Sequence, residues 1–400
     1  MSKQSNIPQL RFKGFVEKWE LKKLGDVAEK IGDGLHGTPI YSEDSDIYFI
    51  NGNNLSNGKI EINENTKKVN KSTFEKNNKG LNENTLLISI NGTIGNIAKY
   101  NNEKVMLGKS VGYYKFKENT DFYYHAFQTD KIQNFFISEL TGSTIKNLSL
   151  KTLRETIISL PTIPEQEKIA SFLSAVDEKI QQLTRKAALL EQYKKGVMQQ
   201  LFSGKLRFKD DNGEEYADWE EKTFSDVGEI VTGKTPSTTD LNLWNGEIQF
   251  VTPTDINNGK YQFNTQRTIK EIASTRLLPS KSIMFTCIAS IGKMCLSIKP
   301  CITNQQINSI VPYKDFDNEF IYYSILNIVD FIKSTQSTTT LPIINKTEFS
   351  KFKINVPISL AEQQKIAGFL SGIDEKIGVV NGELLKMQGF KKGLLQRMFI

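Results

Sequence analysis

The phrase EQEKIASFLSAVDEKI at residues 165–180 is written again as EQQKIAGFLSGIDEKI at 362–377. Twelve of the sixteen positions are identical, and the copies stand 197 residues apart. A self-similarity of this kind has to be placed before any local reading, because it fixes the architecture. The surroundings repeat as well. IISLP (157–161) and INVP (354–357) lead in, and YKKGVMQQLF (193–202) and FKKGLLQRMF (390–399) follow. LRFK opens at Leu10 and again at Leu206, then come Trp19 and Trp219, then GDV at 25–27 and SDV at 225–227. Fainter echoes lie between. YFINGNNLSNGKI (48–60) resembles QFVTPTDINNGKY (249–261), and LLISINGTIGNIA (86–98) resembles IMFTCIASIGKMC (283–295). These stretches mix β-branched and aromatic runs with Gly/Asn turns, which reads as strands and hairpins. The expected fold class is α+β. A β-rich domain occupies 1–160, a helix 161–204, a second β-rich domain 205–357 and a second helix 358–400. The helices are nearly the same and the β-rich domains have diverged. One partner docking twice, and two different targets being read, would produce that contrast.

The helices carry matched seams. Ile169, Leu173, Val176, Ile180, Leu183, Ala187, Leu190, Val197 and Leu201 advance in steps of four and three, with Lys194 in the one gap. Ile366, Leu370, Ile373, Ile377, Val380, Leu384, Met387, Leu394 and Met398 repeat the pattern, with Lys391 in the gap. This is a heptad seam, narrower than the stripe of an ordinary surface helix. Each seam runs for about 38 residues, or ~57 Å at ~1.5 Å per residue. A helix of that length outspans a small β domain. The two seams are therefore natural partners, the alternative being that each packs on its own domain. The linkers set the direction. The first helix ends near Phe202 and the second β-rich domain starts by Leu206; that domain ends near Pro357 and its own helix starts near Glu362. The helices should run antiparallel as a coiled coil with a pseudo-two-fold axis, which returns Ile400 to the start of the chain. Pro164 suits a helix N-terminus, Glu165 and Glu167 suit the positive end of its dipole, and Gly204 supplies a stop.

Composition narrows the function. With 38% apolar and 24% charged residues in 400, the chain is long enough for two or three domains with real cores. The start has no signal-peptide run, and no stretch reaches the ~18 apolar residues of a membrane helix. A cytoplasmic protein without a membrane partner is expected. Cys287, Cys295 and Cys301 match no zinc spacing and read as reduced, partly buried thiols. His36 and His125 stand far apart. No metal-ligand spacing, nucleophile–base arrangement or Asn/Asp-Pro-Pro-aromatic methylation motif stands out. GEIVTGKT at 228–235 fits the phosphate-binding loop G-x-x-x-x-G-K-[ST]. That chemistry needs a buried strand before Gly228 and a helix opening at Gly233. The approach WEEKTFSDV is too polar and the exit PSTTDLNLWNG has no helical period, so a loop joining strands is the better reading. The net charge of +6 permits nucleic-acid binding without demanding it.

The duplicated PEQEKIASFLSAVDEKI (164–180) and AEQQKIAGFLSGIDEKI (361–377), their KKG tails, and DGLHGTP (33–39), GKTPS (233–237) and TNQQINSI (303–310) resemble the specificity subunits of Type I restriction–modification systems. The resemblance covers essentially the whole chain. It implies two target recognition domains, each reading one half of a split site in double-stranded DNA. It implies spacer helices that fix the gap and dock two methyltransferase subunits, with motor and endonuclease subunits joining them for host defence. S-adenosylmethionine, ATP and Mg would be used by those partners, with no cofactor and no catalysis in this chain. Under that reading the candidate DNA contacts are polar loop residues. They are His36, Thr38, Lys59, Lys109, Ser143, Thr144 and Lys146 in the first domain. In the second they are Lys234, Ser237, Lys260, Lys293, Gln305, Gln306, Ser337 and Thr338. Two other readings stay open: a nucleotide hydrolase built on GEIVTGKT, and a scaffold whose tandem domains bind protein or sugar.

Overall fold

A computed structural model describes residues 7–141, 146–257, 259–270, 276–336 and 342–400. Two compact units emerge, Met1–Thr184 with Gly382–Ile400, and Arg185–Asn381. The boundary between them cuts both long helices, Ile163–Phe202 and Leu360–Met398, so neither helix is a domain of its own. Each unit is a β-rich domain joined to the opening of one long helix and the closing part of the other. Pro164 lies in the first turn of its helix, and Gly204 closes that helix at φ +73°, a backbone that costs glycine nothing.

In the first unit, Glu20–Lys23 pairs antiparallel with Ile157–Leu160, the lead-in to the long helix. Next comes an antiparallel sheet in the order Lys30–Asp33, Val111–Lys115, Thr85–Ser89, Ile97–Lys99. Its central strand, TLLIS, is buried on both faces. Leu86 and Ile88 enter a core with Trp19, Tyr114, Phe122 and Phe127, while Leu87 enters a second core with Ile50, Leu55 and Leu107. The period of two assigns them. The first core continues into Ile169, Leu173 and Val176 of one long helix and Leu394, Leu395 and Met398 of the other. Ser159 Oγ donates to the Ile400 carbonyl at 3.2 Å, and Asp177 pairs with Lys391 at 2.7 Å. Moving forward along one helix thus moves backward along the other, which makes the pair antiparallel.

The second unit repeats the plan. Trp219–Thr223 pairs with Lys353–Pro357. A five-stranded sheet follows, in the order Gly228–Thr232, Ile307–Pro312, Ile283–Thr286, Met294–Ser297, Tyr261–Gln262. Phe224, Phe285, Ile310 and Phe320 share a core with Val197, Leu201, Ile366, Leu370, Ile373 and Ile377. Lys194 pairs with Asp374 at 2.6 Å, the same contact as Lys391 with Asp177. Along the seams Ile169, Leu173, Val176, Leu183, Val197, Ile366, Leu370, Ile373, Ile377, Val380 and Leu394 are buried, and Ile180, Leu190 and Leu384 are half-buried.

The repeated LRFK has a structural cause. Arg11 Nε and Nη2 donate to the two carboxylate oxygens of Glu165, both at 2.7 Å. Arg207 makes the same fork to Glu362 at 3.0–3.2 Å. Both glutamates are fully buried. Hydrogen bonding to Glu165 raises the Arg11 guanidinium further above its ordinary range. Beside the fork, Leu206 N donates to Gln200 O across a short covalent link in the second unit. In the first unit the same bond runs from Leu10 N to Arg397 O at 2.8 Å, between opposite ends of the sequence. Gln166 and Gln363 each close the lead-in strand, donating to Pro161 O and Pro357 O at 2.9 Å.

The β-rich domains contain substantial helices, Thr120–Phe127 and Asp130–Ser138 in the first and Asn318–Ser334 in the second. FIYYSILNIV is β-branched and aromatic, yet it forms a helix that is buried nearly all round at its start. Asp317 caps it, accepting from Glu319 N and Phe320 N.

Candidate nucleic-acid interface

In the first unit, five loops meet at one end of the four-stranded sheet. Gly34 N donates to Val111 O and Leu35 N to Leu107 O, at 3.0 and 2.8 Å. A Cβ on Gly34 would collide with the carbonyl oxygens of Leu107 and Gly108, so this backbone crossing requires glycine. Ser110 Oγ receives Gly52 N at 2.9 Å and donates to Asn51 Oδ1 at 3.0 Å. Asn91 reaches Lys109 O and bridges Asn147, while Leu148 N donates to Ile90 O. The resulting platform carries His36, Lys109 and Lys146, all exposed, with exposed Thr38 two residues beyond His36. His36 Nε2 lies 2.5 Å from Asp33 Oδ2.

The second unit builds the same crossing. Gly233 N donates to Ile307 O and Lys234 N to Thr303 O. A Cβ on Gly233 would collide with the carbonyls of Thr303 and Asn304. Thr235 Oγ1 donates to Gln305 Oε1 at 2.5 Å, and Asn304 holds Gln306 through both its side-chain atoms. Asn304 N donates to Val251 O and Cys287 N to Gln306 O, so the loops from 251, 287 and 303 converge on Lys234. Exposed Ser237 continues the loop, and Lys293 Nζ donates to Pro253 O at 3.5 Å. Ser143, Thr144, Ser337 and Thr338 lie outside the described residues. Sequence reasoning missed Asn51, Asn91, Ser110 and Asn304. Their role is to tie loops together, and such bonds leave no local motif.

Two lysines do not join the platforms. Lys59 Nζ donates to Gln181 Oε1 on the long helix at 3.2 Å. Lys260, 8% exposed, pairs with Glu319 at 2.5 Å and donates to Ser371 Oγ at 2.6 Å. Lys260 is therefore committed to a buried cluster and is withdrawn from the DNA-contact set. Residue type suggested a solvated cation, and a partner 59 residues away claimed it. Burial alone would raise the Glu319 pKa. Hydrogen bonds from Lys260, Ser371 and Tyr261 outweigh burial and lower it below its ordinary 4.5. A depressed folded value gives stability that is present above 4.5 and lost as pH falls through the folded value. Urea melts of the native chain and Glu319→Gln should therefore differ most at pH 7 and converge on acidification. A gap independent of pH would contradict this.

GEIVTGKT takes no phosphate-loop form. Gly228–Thr232 is itself a strand paired with Ile307–Pro312, and the next turn, Leu241–Leu243, starts eight residues after Gly233. The thiols of Cys287, Cys295 and Cys301 are pushed up to about 11, 12 and 12 by burial, the reverse of an activated nucleophile. His125 is pushed down to about 3 by burial, with Lys391 and Lys99 adding to it, and its Nε2 faces Ser174 Oγ at 3.2 Å. Among the described residues no His/Cys/Asp/Glu group could hold a metal, and no helix is long and apolar enough to cross a membrane.

Comparison with known proteins places this geometry. The family model of the Type I restriction modification DNA specificity domain matches residues 16–192 and again 216–387. The Type I restriction enzyme MjaIX specificity subunit of Methanocaldococcus jannaschii is 32% identical over 186 residues, 44% of this chain and 43% of that protein. The HindI specificity subunit of Haemophilus influenzae is 34% identical over 146 residues, 35% of this chain and 32% of that protein. The aligned region thus spans less than half the length of these two relatives. The putative MjaX specificity subunit, at 24% identity, aligns over 98% of this chain and 95% of its own. In fold, the chain is similar to the S subunit of a Type I restriction–modification system from M. genitalium. The TM-score is 0.64 at 16% identity, covering 98% of this chain and 99% of that one. A chain from a structure addressing assembly of the type I R-M system gives 0.54 at 15% identity, covering 97% and 99%. With two matched regions that together take in most of its length, the chain belongs to the Type I restriction modification DNA specificity domain family.

Proposed function

We propose that this chain is the sequence-reading subunit of a Type I restriction–modification assembly. Each β-rich domain reads one half of an interrupted, asymmetric site in double-stranded DNA. The long helices hold the two readers at a set spacing and dock two methyltransferase subunits, and motor and endonuclease subunits complete the assembly in the cytoplasm. The chain supplies recognition, while S-adenosylmethionine, ATP and Mg serve the partner subunits.

One observation carries this reading. The same loop platform, with the same obligatory glycine crossing, is built twice and furnished with different side chains. His36, Lys109 and Lys146 stand on one, and Lys234, Gln305 and Gln306 on the other. Bases are told apart by hydrogen-bonding groups at groove edges, whereas phosphate contacts only position a protein. Two unlike sets on equivalent frames suit two unlike half-sites, as identical sets on symmetric dimers suit palindromes. A scaffold for protein or sugar needs no cationic platform and would bind with little dependence on salt.

The test is a genome-wide map of methylated adenines in the host with and without this chain. A bipartite motif should vanish on deletion. An unchanged map would remove the reading.

A further inference from the structure

We propose that each β-rich domain presents one pre-ordered cation to duplex DNA, Lys67 in the first unit and Arg267 in the second, each seated on an aromatic ring at the border of the loop platform. This rests on the DNA-reading function and assigns residues that neither the repeat nor the loop composition picks out.

The two cations occupy the same place in two diverged domains. Lys67 Nζ lies 4.8 Å from the centre of the Tyr41 ring, and Tyr41 meets Phe49 edge-on. The Arg267 guanidinium lies 3.4 Å from the centre of the Trp244 ring, and Trp244 meets Phe250 edge-on. The registers agree. Tyr41 bridges Val69, two residues after Lys67, and Trp244 pairs with Ile269, two residues after Arg267. Phe49 N donates to Lys67 O, and Phe250 stands opposite Arg267. A cation, an aromatic platform and a supporting phenylalanine have thus been kept through a divergence that changed the identity of two of the three.

Packing does not account for the cation. An exposed cation on a ring is a weak contact, and a neutral side chain would cover the ring as well. Some other cations of the two units are neutralised, Lys104 by Asp46 and Arg276 by Glu229. Among the described residues no carboxylate pairs with Lys67 or Arg267. Both are exposed. Both sites also touch the platforms. A Cβ on Gly108, beside Lys109, would lie 2.9 Å from Phe49 Cζ, and Trp244 Nε1 donates to Ser237 O at 2.9 Å.

The two cations differ in what they can do. A guanidinium stacked by its face keeps its edge N–H groups free, and that fork matches O6 and N7 of guanine. An ammonium is a point charge suited to phosphate. We therefore assign Arg267 to a base of the second half-site and Lys67 to the backbone of the first. Stacking fixes each cation before DNA arrives and reduces the ordering cost of binding.

The test uses the full chain assembled with its methyltransferase subunits. Two duplexes serve as probes, one with the bipartite sequence taken from the methylation map and one with that sequence scrambled. Arg267→Lys keeps the charge and the ring contact. It should weaken the specific duplex roughly 5- to 100-fold while the scrambled duplex and the salt slope stay unchanged. Lys67→Ala should weaken both duplexes by a similar factor and reduce the slope of log K against log salt by about 0.9. Native affinity for both duplexes in Arg267→Lys and Lys67→Ala would overturn the proposal with DNA reading intact. Equal losses on both duplexes in Arg267→Lys would overturn the assignment of Arg267 to a base. If the native assembly itself fails to tell the duplexes apart, it is the underlying DNA-reading function that fails.

Discussion

Aspartate at Leu173 should open the first unit and leave the second unit's own core in place; aspartate at Leu370 should do the reverse. Both leucines are fully buried, Leu173 with Trp19, Phe122, Leu394 and Met398, and Leu370 with Phe320, Val197 and Leu201. Truncating a leucine in such a place costs about 3–5 kcal/mol. A carboxyl without a hydrogen-bond partner adds roughly 1–3 kcal/mol more. Together these approach the whole stability of an ordinary domain, about 5–15 kcal/mol. Leu173→Met, which conserves volume, should cost less than about 1.5 kcal/mol. Hydrogen exchange checks the locality. Protection should collapse in 7–184 and 382–400 for Leu173→Asp, and in 185–381 for Leu370→Asp. Under the proposed function two half-sites are read at once, so either variant should also abolish bipartite methylation. Undiminished methylation in Leu173→Asp would contradict the spacer role of the helices.

The helices were readable because their constraint is periodic and duplicated. Steps of four and three placed Ile169 to Leu201 on one face, and the same steps 197 residues on placed Ile366 to Met398 there too. Burial follows those positions, and the linker lengths alone required the antiparallel arrangement that Asp177–Lys391 and Lys194–Asp374 make within each unit. Pro164 and Gly204 act locally, and the first long helix runs Ile163–Phe202.

What escaped the sequence is whatever depends on a distant partner. Glu165 reads as a residue suited to a helix start, yet it is fully buried because Arg11, 154 residues earlier, reaches it. Lys260 reads as a surface cation until Glu319 folds onto it. Asn318–Ser334 does not stand out in the sequence, because its first half, FIYYSI, is aromatic and β-branched and buried nearly all round, and exposed polar residues mark its period only from Asn327 onward. Lys67–Tyr41–Phe49 and Arg267–Trp244–Phe250 share an arrangement while sharing only the phenylalanine, so comparison of residues cannot find them.

Comparison of the chain with itself separates two kinds of position. Residues kept in both copies, such as the Arg–Glu forks, the Lys–Asp pairs and the glutamines on the lead-in strand, face inward and hold the frame. On the loop platforms the residues that differ include exposed ones, His36 and Lys109 in one unit and Lys234 and Gln305 in the other. A frame that tolerates new loops is what allows a reader to acquire a new target without refolding, and the forks are where that frame is most exposed to single substitutions.

Arg11→Ala should therefore destabilise the first unit more than Arg207→Ala destabilises the second, although the two arginines make the same fork. Removing one partner of a buried ion pair costs about 3–5 kcal/mol, because the other charge is left buried and uncompensated. Without Arg11, Glu165 keeps no side-chain donor among the described residues. Trp19 does not help, since its Nε1 finds no partner. Without Arg207, Glu362 still receives Trp219 Nε1 at 3.1 Å. A hydrogen bond to a charged group contributes about 1.5–3 kcal/mol, and the two variants should differ by roughly that amount. Glu165→Gln added to Arg11→Ala removes the stranded charge and should restore much of the loss. Denaturant melts of the four chains decide the matter. Equal losses in the two single variants would show that Trp219 contributes nothing to holding Glu362, and failure of the double variant to recover would show that the charge of Glu165 is not what the fork exists to neutralise.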